Sequence, residues 1–132
     1  MLKKIILLST LLLSYNLTYA ENCPTVNELK SNNLQGWQAL KIDNALPLSS
    51  ADVSRFTNTV ENFALAEWMK DAPEGAAHCY YTGVNKSDPH YLGVFLAKQH
   101  LAPKTISTAW HSMGMDIMLC HEGITECGFI FT

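Results

Sequence analysis

Alternating apolar runs in the second half, one helical periodicity in the first, and four cysteines behind an export-like leader predict an α+β fold. The expected architecture is an antiparallel β-sheet of about five strands with one or two N-terminal helices and two disulfides. The chain opens MLKKIILLSTLLLSYNLTYA. Lys3 and Lys4 supply a positive start, Ile5 to Leu13 is apolar apart from Ser9 and Thr10, and Thr18-Tyr19-Ala20 offers a small residue for cleavage. This is the plan of a secretory signal peptide, and the apolar run falls short of the roughly 20 residues a spanning helix needs. An uncleaved anchor is the alternative. Glu21 and Asn22 before Cys23 do not resemble a lipobox. Residues 1–20 are therefore read as the signal peptide and 21–132 as a single disulfide-stabilised domain, periplasmic or secreted.

Thr25 to Ser31, after Pro24, suits a short helix. Gly36 to Ile42 alternates as a strand, and Asp43 to Pro47 reads as its closing turn. Ser50 is a good helix N-cap, and Val53, Phe56, Val60, Phe63 and Ala64 follow at helical spacing. A helix over about 50–60 followed by a strand to about 70 is expected. His78 to Thr82 and Tyr91 to Ala97 read as a hairpin with a long loop through Asn85-Lys86-Ser87-Asp88-Pro89. Further strands are expected near Met115 to His121 and from Glu126 to Phe131, joined by a tight turn at Gly123-Ile124.

The cysteines are Cys23, Cys79, Cys120 and Cys127. An even count in an exported domain reads as two disulfides, with three pairings possible. If Gly123-Ile124 closes a hairpin, Cys120 lies opposite Cys127, at a separation a disulfide accepts, and Met118 faces Phe129 with Phe131 beyond. Cys23 and Cys79 then pair by elimination.

The signal holds two of the nine basic residues and none of the twelve acidic ones, so seven bases against twelve acids leave the domain at −5. That balance lacks the footprint for nucleic acid and the basic stripe of a membrane-surface helix. No membrane insertion is expected after signal cleavage.

Five histidines, His78, His90, His100, His111 and His121, show no HExxH or HxH, and the cysteines form no CxxC; neither metal nor cofactor is expected. No GxSxG, SxxK or phosphate-binding glycine loop occurs. In a strand His78 and Cys79 point to opposite faces, so adjacency makes no Cys–His pair. The histidines and carboxylates read as ordinary surface groups. Among Trp37, Trp68, Trp110, Tyr80, Tyr81 and Tyr91, most tryptophans are expected in the core. Tyr81 and Tyr91, flanking the long loop, are the candidate binding residues.

CPTVNELK after the leader, Gly36-Trp37, CYY at Cys79 to Tyr81, Trp110 and ECGF at Glu126 to Phe129 give the chain a layout that resembles small exported cysteine-containing domains of unknown function in Gram-negative bacteria. The resemblance implies a β-rich extracytoplasmic domain with structural cysteines and carries no catalytic residue. The functional expectation is a non-enzymatic binding or interaction domain for a protein or cell-envelope component. The alternatives are a small extracytoplasmic hydrolase or sugar-binding protein with a carboxylate/His site, and an envelope component that pairs through an edge strand.

Overall fold

The structure is a computed structural model that describes residues 20–83, 92–104 and 108–132. Among the described residues the chain is mostly β, with nine strands and two helices. The strands are β1 (Ala20–Glu21), β2 (Gln38–Lys41), β3 (Asn62–Met69), β4 (Ala77–Thr82), β5 (Val94–Lys98), β6 (Leu101–Pro103), β7 (His111–Ser112), β8 (Ile117–Cys120) and β9 (Phe129–Phe131). The helices are α1 (Val26–Lys30) and α2 (Ser50–Thr59). Two antiparallel sheets result, one of six strands in the order β2-β5-β4-β3-β8-β7 and one of three in the order β1-β9-β6.

Local chemistry sets the helix ends. Thr25 and Glu28 form a reciprocal capping box at α1, with Glu28 N donating to Thr25 Oγ1 and Thr25 N donating to Glu28 Oε1. Helix α2 is capped by Ser49, one residue before the expected Ser50; its hydroxyl accepts from Asp52 N at 3.2 Å. Val60 turns to an extended backbone and leads directly into β3, where the sequence placed the junction.

Alternation sorts the six-stranded sheet into two faces. Ala39, Leu96, Cys79, Ala66 and Cys120 stand in one row across five adjacent strands, and all are buried. They face a core that includes Leu29, Phe56 and Val60 from the helical half and Phe129 from the small sheet. Trp37 and Trp110 pack on Phe129 at centroid distances of 5.9 and 5.1 Å. Each indole N–H has a partner: Glu21 Oε1 for Trp37, Leu101 O for Trp68 and Gly128 O for Trp110. The three tryptophans thus supply apolar bulk without an orphaned donor.

Both expected disulfides are present, Cys23–Cys79 and Cys120–Cys127, with Cα separations of 5.9 and 5.6 Å. The hairpin from which the second was inferred is absent. Strand β8 has both edges occupied, by β3 and β7, so β9 cannot pair with it and instead lies between β1 and β6. Gly123-Ile124 is not a two-residue turn; Cys127 N donates to Gly123 O at 3.0 Å across a wider one. The bridge therefore fastens the six-stranded sheet to the segment that enters the three-stranded one. The single sheet of about five strands is corrected to two sheets, because β1, β6 and β7 are too short to show an alternation of their own.

The proposed signal lies outside the described residues except for Ala20, which pairs with Ile130. Two disulfides fit an oxidising, extracytoplasmic compartment. Among the described residues no helix is long and apolar enough to cross a membrane.

Candidate functional site

Of the two tyrosines chosen from the sequence, the structure places one, Tyr81, and places it in the core. Tyr91 lies outside the described residues. Tyr81 is fully buried, its hydroxyl donates to Pro24 O at 2.6 Å, and its ring meets Phe56 and Phe63 edge-on at 6.0 and 5.8 Å. Burial, with the Glu28 charge adding, pushes its phenol far above the usual range. Tyr81 is a core residue because it shares the inward face of β4 with Cys79, two positions away. Both residues hold the same N-terminal segment, one by the disulfide and one by the hydrogen bond.

The opposite face carries a different row: Gln38, Ala97, His78, Glu67, Leu119 and His111, one from each strand of the six-stranded sheet. His78, read from the sequence as a surface group, is buried under the turn that joins β3 to β4. Its Nδ1 lies 2.9 Å from Glu67 Oε1, and its Nε2 lies 2.7 Å from Gly75 O and 3.3 Å from Glu74 Oε1. Phe95 packs against the imidazole at 5.0 Å. The Tyr80 hydroxyl donates to Glu67 Oε1 at 3.0 Å. The His78 hydrogen bond, helped by Tyr80, holds the Glu67 carboxyl below the usual carboxylate range against the opposing effect of burial. Both nitrogens of His78 are engaged with internal oxygens, which makes it a clamp between two strands and a turn.

That clamp fixes Glu74 at the rim of a groove of about 430 Å³, within the usual range for ligand sites. The groove lies where the chain leaves β5 for β6. Ala97 lies along it, and Gln38, Glu74, Lys98, Gln99, His100 and Phe131 contribute the larger side chains. Phe131 is half exposed. The sequence placed it on a buried face with Phe129, but it is the last strand residue and projects beyond the core that Phe129 fills.

Several contacts hold the groove in shape. Lys98 Nζ donates to Glu21 Oε1 at 2.9 Å and to Gln35 O at 3.0 Å, and lies 5.7 Å over the Trp37 ring. Gln99 Nε2 donates to Pro73 O at 3.1 Å. His100 adopts a left-handed backbone, φ 62°, which is uncommon outside glycine and gathers at functional sites. Gly75 must be glycine: its φ is 125°, and an added Cβ would stand 2.6 Å from Lys98 O. This close approach brings the Glu74 turn down to the groove.

A smaller cleft of about 190 Å³ between α2 and β5 is lined by Lys41, Leu48, Arg55, Phe56 and Leu92, among others. Its volume lies below the usual ligand range. No protein-family model, no curated protein and no solved structure matches the chain.

Proposed function

We propose that the chain is an exported binding domain that recognises a protein or cell-envelope component through the Phe131 groove. The observation that carries this reading is the half-exposed Phe131 ring beside Gln38, Glu74, Gln99 and His100 in one pre-shaped groove. An aromatic face flanked by amides and a carboxylate suits a polar ligand with one apolar side, as a peptide segment or a saccharide ring presents. Aromatic residues in such settings dominate recognition energy.

The hydrolase reading has one observation in its favour: two carboxylates, Glu67 and Glu74, meet one histidine. The chemistry runs against it. A proton-donating carboxyl needs an affinity for its proton raised toward neutrality, whereas Glu67 is held in its ionised form. His78 is buried with both nitrogens engaged, so neither ring atom is open to a substrate. Binding is the better-supported use of the site.

Hydrogen exchange on a complex isolated by capture from periplasm and culture medium tests this reading. Protection of residues 97–101 and 129–132 is expected. Protection confined to the α2 side of the molecule would refute the assignment of the groove.

A further inference from the structure

The hairpin between β7 and β8 presents a set of donors unrelated to the groove. His111 pairs with Leu119, and Met113 N donates to Ile117 O at 2.8 Å, so the ladder continues one step past β7. With a strand period of two, His111 and Met113 share one face of this edge ribbon. Met115 follows two residues later on the turn itself. Met113 and Met115 are 61% and 94% exposed, and His111 is exposed beside them. Isolated surface methionines are ordinary; two thioethers and an imidazole at alternate positions of one exposed hairpin tip are donor types that a soft metal ion takes.

The backbone holds this tip in an uncommon shape. Gly114, Met115 and Asp116 all have positive φ, at 82°, 50° and 61°. Left-handed conformations at two successive non-glycine residues carry strain that the surroundings must maintain. Here Lys70 N donates to Asp116 O at 3.1 Å, Ile117 N to Gly114 O at 3.1 Å, and Gly114 N to Ser112 Oγ at 3.3 Å. The tip is anchored to the turn after β3 while its methionines point away from the core.

We propose that His111, Met113 and Met115 bind a soft monovalent metal ion, copper(I). Thioether ligands select copper(I) over the harder divalent ions, and imidazole completes a mixed nitrogen–sulfur set that suits it. Methionine has three rotatable bonds and a polarisable sulfur, so two side chains at alternate positions can converge on one ion. Among the described residues no group of three or more His, Cys, Asp or Glu side chains is placed to hold a metal. This site uses the sulfur donors outside that set. All four cysteines are in disulfides, so no thiol competes for the ion.

The test uses silver(I), a redox-inert soft monovalent ion, followed by copper(I) under ascorbate with a chromophoric chelator as competitor. The protein for the test is residues 21–132, whose methionines are Met69, Met113, Met115 and Met118. With silver(I) added to one equivalent, the methyl NMR signals of Met113 and Met115 should shift and those of Met69 and Met118 should not. The variant M113L/M115L keeps the apolar bulk and removes both sulfurs; H111A removes the imidazole. Each should weaken binding by at least about tenfold, a loss that removal of even an outer-shell partner can cause. Unmoved signals of Met113 and Met115 in the wild-type protein would overturn the proposal without recourse to any variant. Binding unchanged in M113L/M115L would overturn it equally, leaving the tip as an apolar contact surface.

Discussion

Replacing Tyr81 separates a core role from a binding role. In Tyr81→Phe the ring remains against Phe56 and Phe63, and only the hydroxyl that donates to Pro24 O at 2.6 Å is lost. Pro24 is fully buried, so its carbonyl loses its partner in a place poorly reached by water. Leaving a buried acceptor unmatched costs about 1–3 kcal/mol. At roughly 4 °C per kcal/mol for a domain of this size, the melting temperature should fall by about 4–12 °C. Tyr81→Ala also empties the ring site, for which losses of about 3–5 kcal/mol are usual, against a total stability of about 5–15 kcal/mol. Because the Cys23–Cys79 bridge holds the same segment, the two effects should couple. Tyr81→Phe in a variant lacking that disulfide should cost less than in the intact protein, by about 0.5 kcal/mol or more. Urea and thermal unfolding of the four proteins of this cycle measure the coupling. A wild-type melting curve for Tyr81→Ala would refute the reasoning and return Tyr81 to the surface.

The disulfides should differ in worth. They close separations of 56 and 7 residues, and loop-closure entropy assigns about 4 and about 2.5 kcal/mol to them. Paired Cys→Ala variants compared by urea unfolding check the order; a greater loss on removing Cys120–Cys127 would contradict it. Acid should weaken the His78 clamp through Glu67. Its carboxyl titrates lower in the folded protein than the ordinary value of 4.5, so its contribution is fully present above that value. The contribution is lost as pH falls through the lower, folded-state value. Melting temperatures recorded from about pH 6 down to about pH 3 should fall less steeply for Glu67→Gln than for the wild type, and parallel curves would count against the clamp. Cleavage after Ala20 should leave Glu21 as the first residue of the extracytoplasmic protein, which N-terminal sequencing reads directly. A retained Met1 in the membrane fraction would mean an anchor.

What was legible in the sequence was local. Helical spacing from Val53 to Val60 gave α2, and the alternation around Cys79 and Leu96 gave β4 and β5. Compartment and cysteine count gave two disulfides. The Cys120–Cys127 pairing came from a turn that does not form, and it held because eight residues can bring two Cα atoms to 5.6 Å by more than one path. Strand partners were not legible for β8 and β9: β8 pairs on one edge with the distant β3 and on the other with β7, only two residues long, and β9 pairs with β1 and β6, both remote in sequence. Tyr81 was misplaced because adjacent tyrosines say that one faces in without saying which. The groove was hidden for a related reason: Gln38, Glu74, His100 and Phe131 come from four separate segments and meet only through the sheet order. The hairpin tip did carry a signal, the alternation His111-x-Met113-x-Met115, which a search limited to histidine, cysteine and carboxylate spacing passes over.

The most direct test of the groove as the recognition surface is quantitative capture with Phe131→Ala. Phe131 is half exposed at the end of β9, so its removal should leave the melting curve close to that of the wild type. Immobilised wild-type and variant domains are exposed to the same periplasmic extract and culture medium, and recovered proteins and glycans are quantified by mass spectrometry. The partner enriched by the wild type should bind the folded variant at least about tenfold more weakly, equivalent to about 1.4 kcal/mol and within the hot-spot range. Equal affinity of that partner for the folded variant would contradict the account and place recognition on another face.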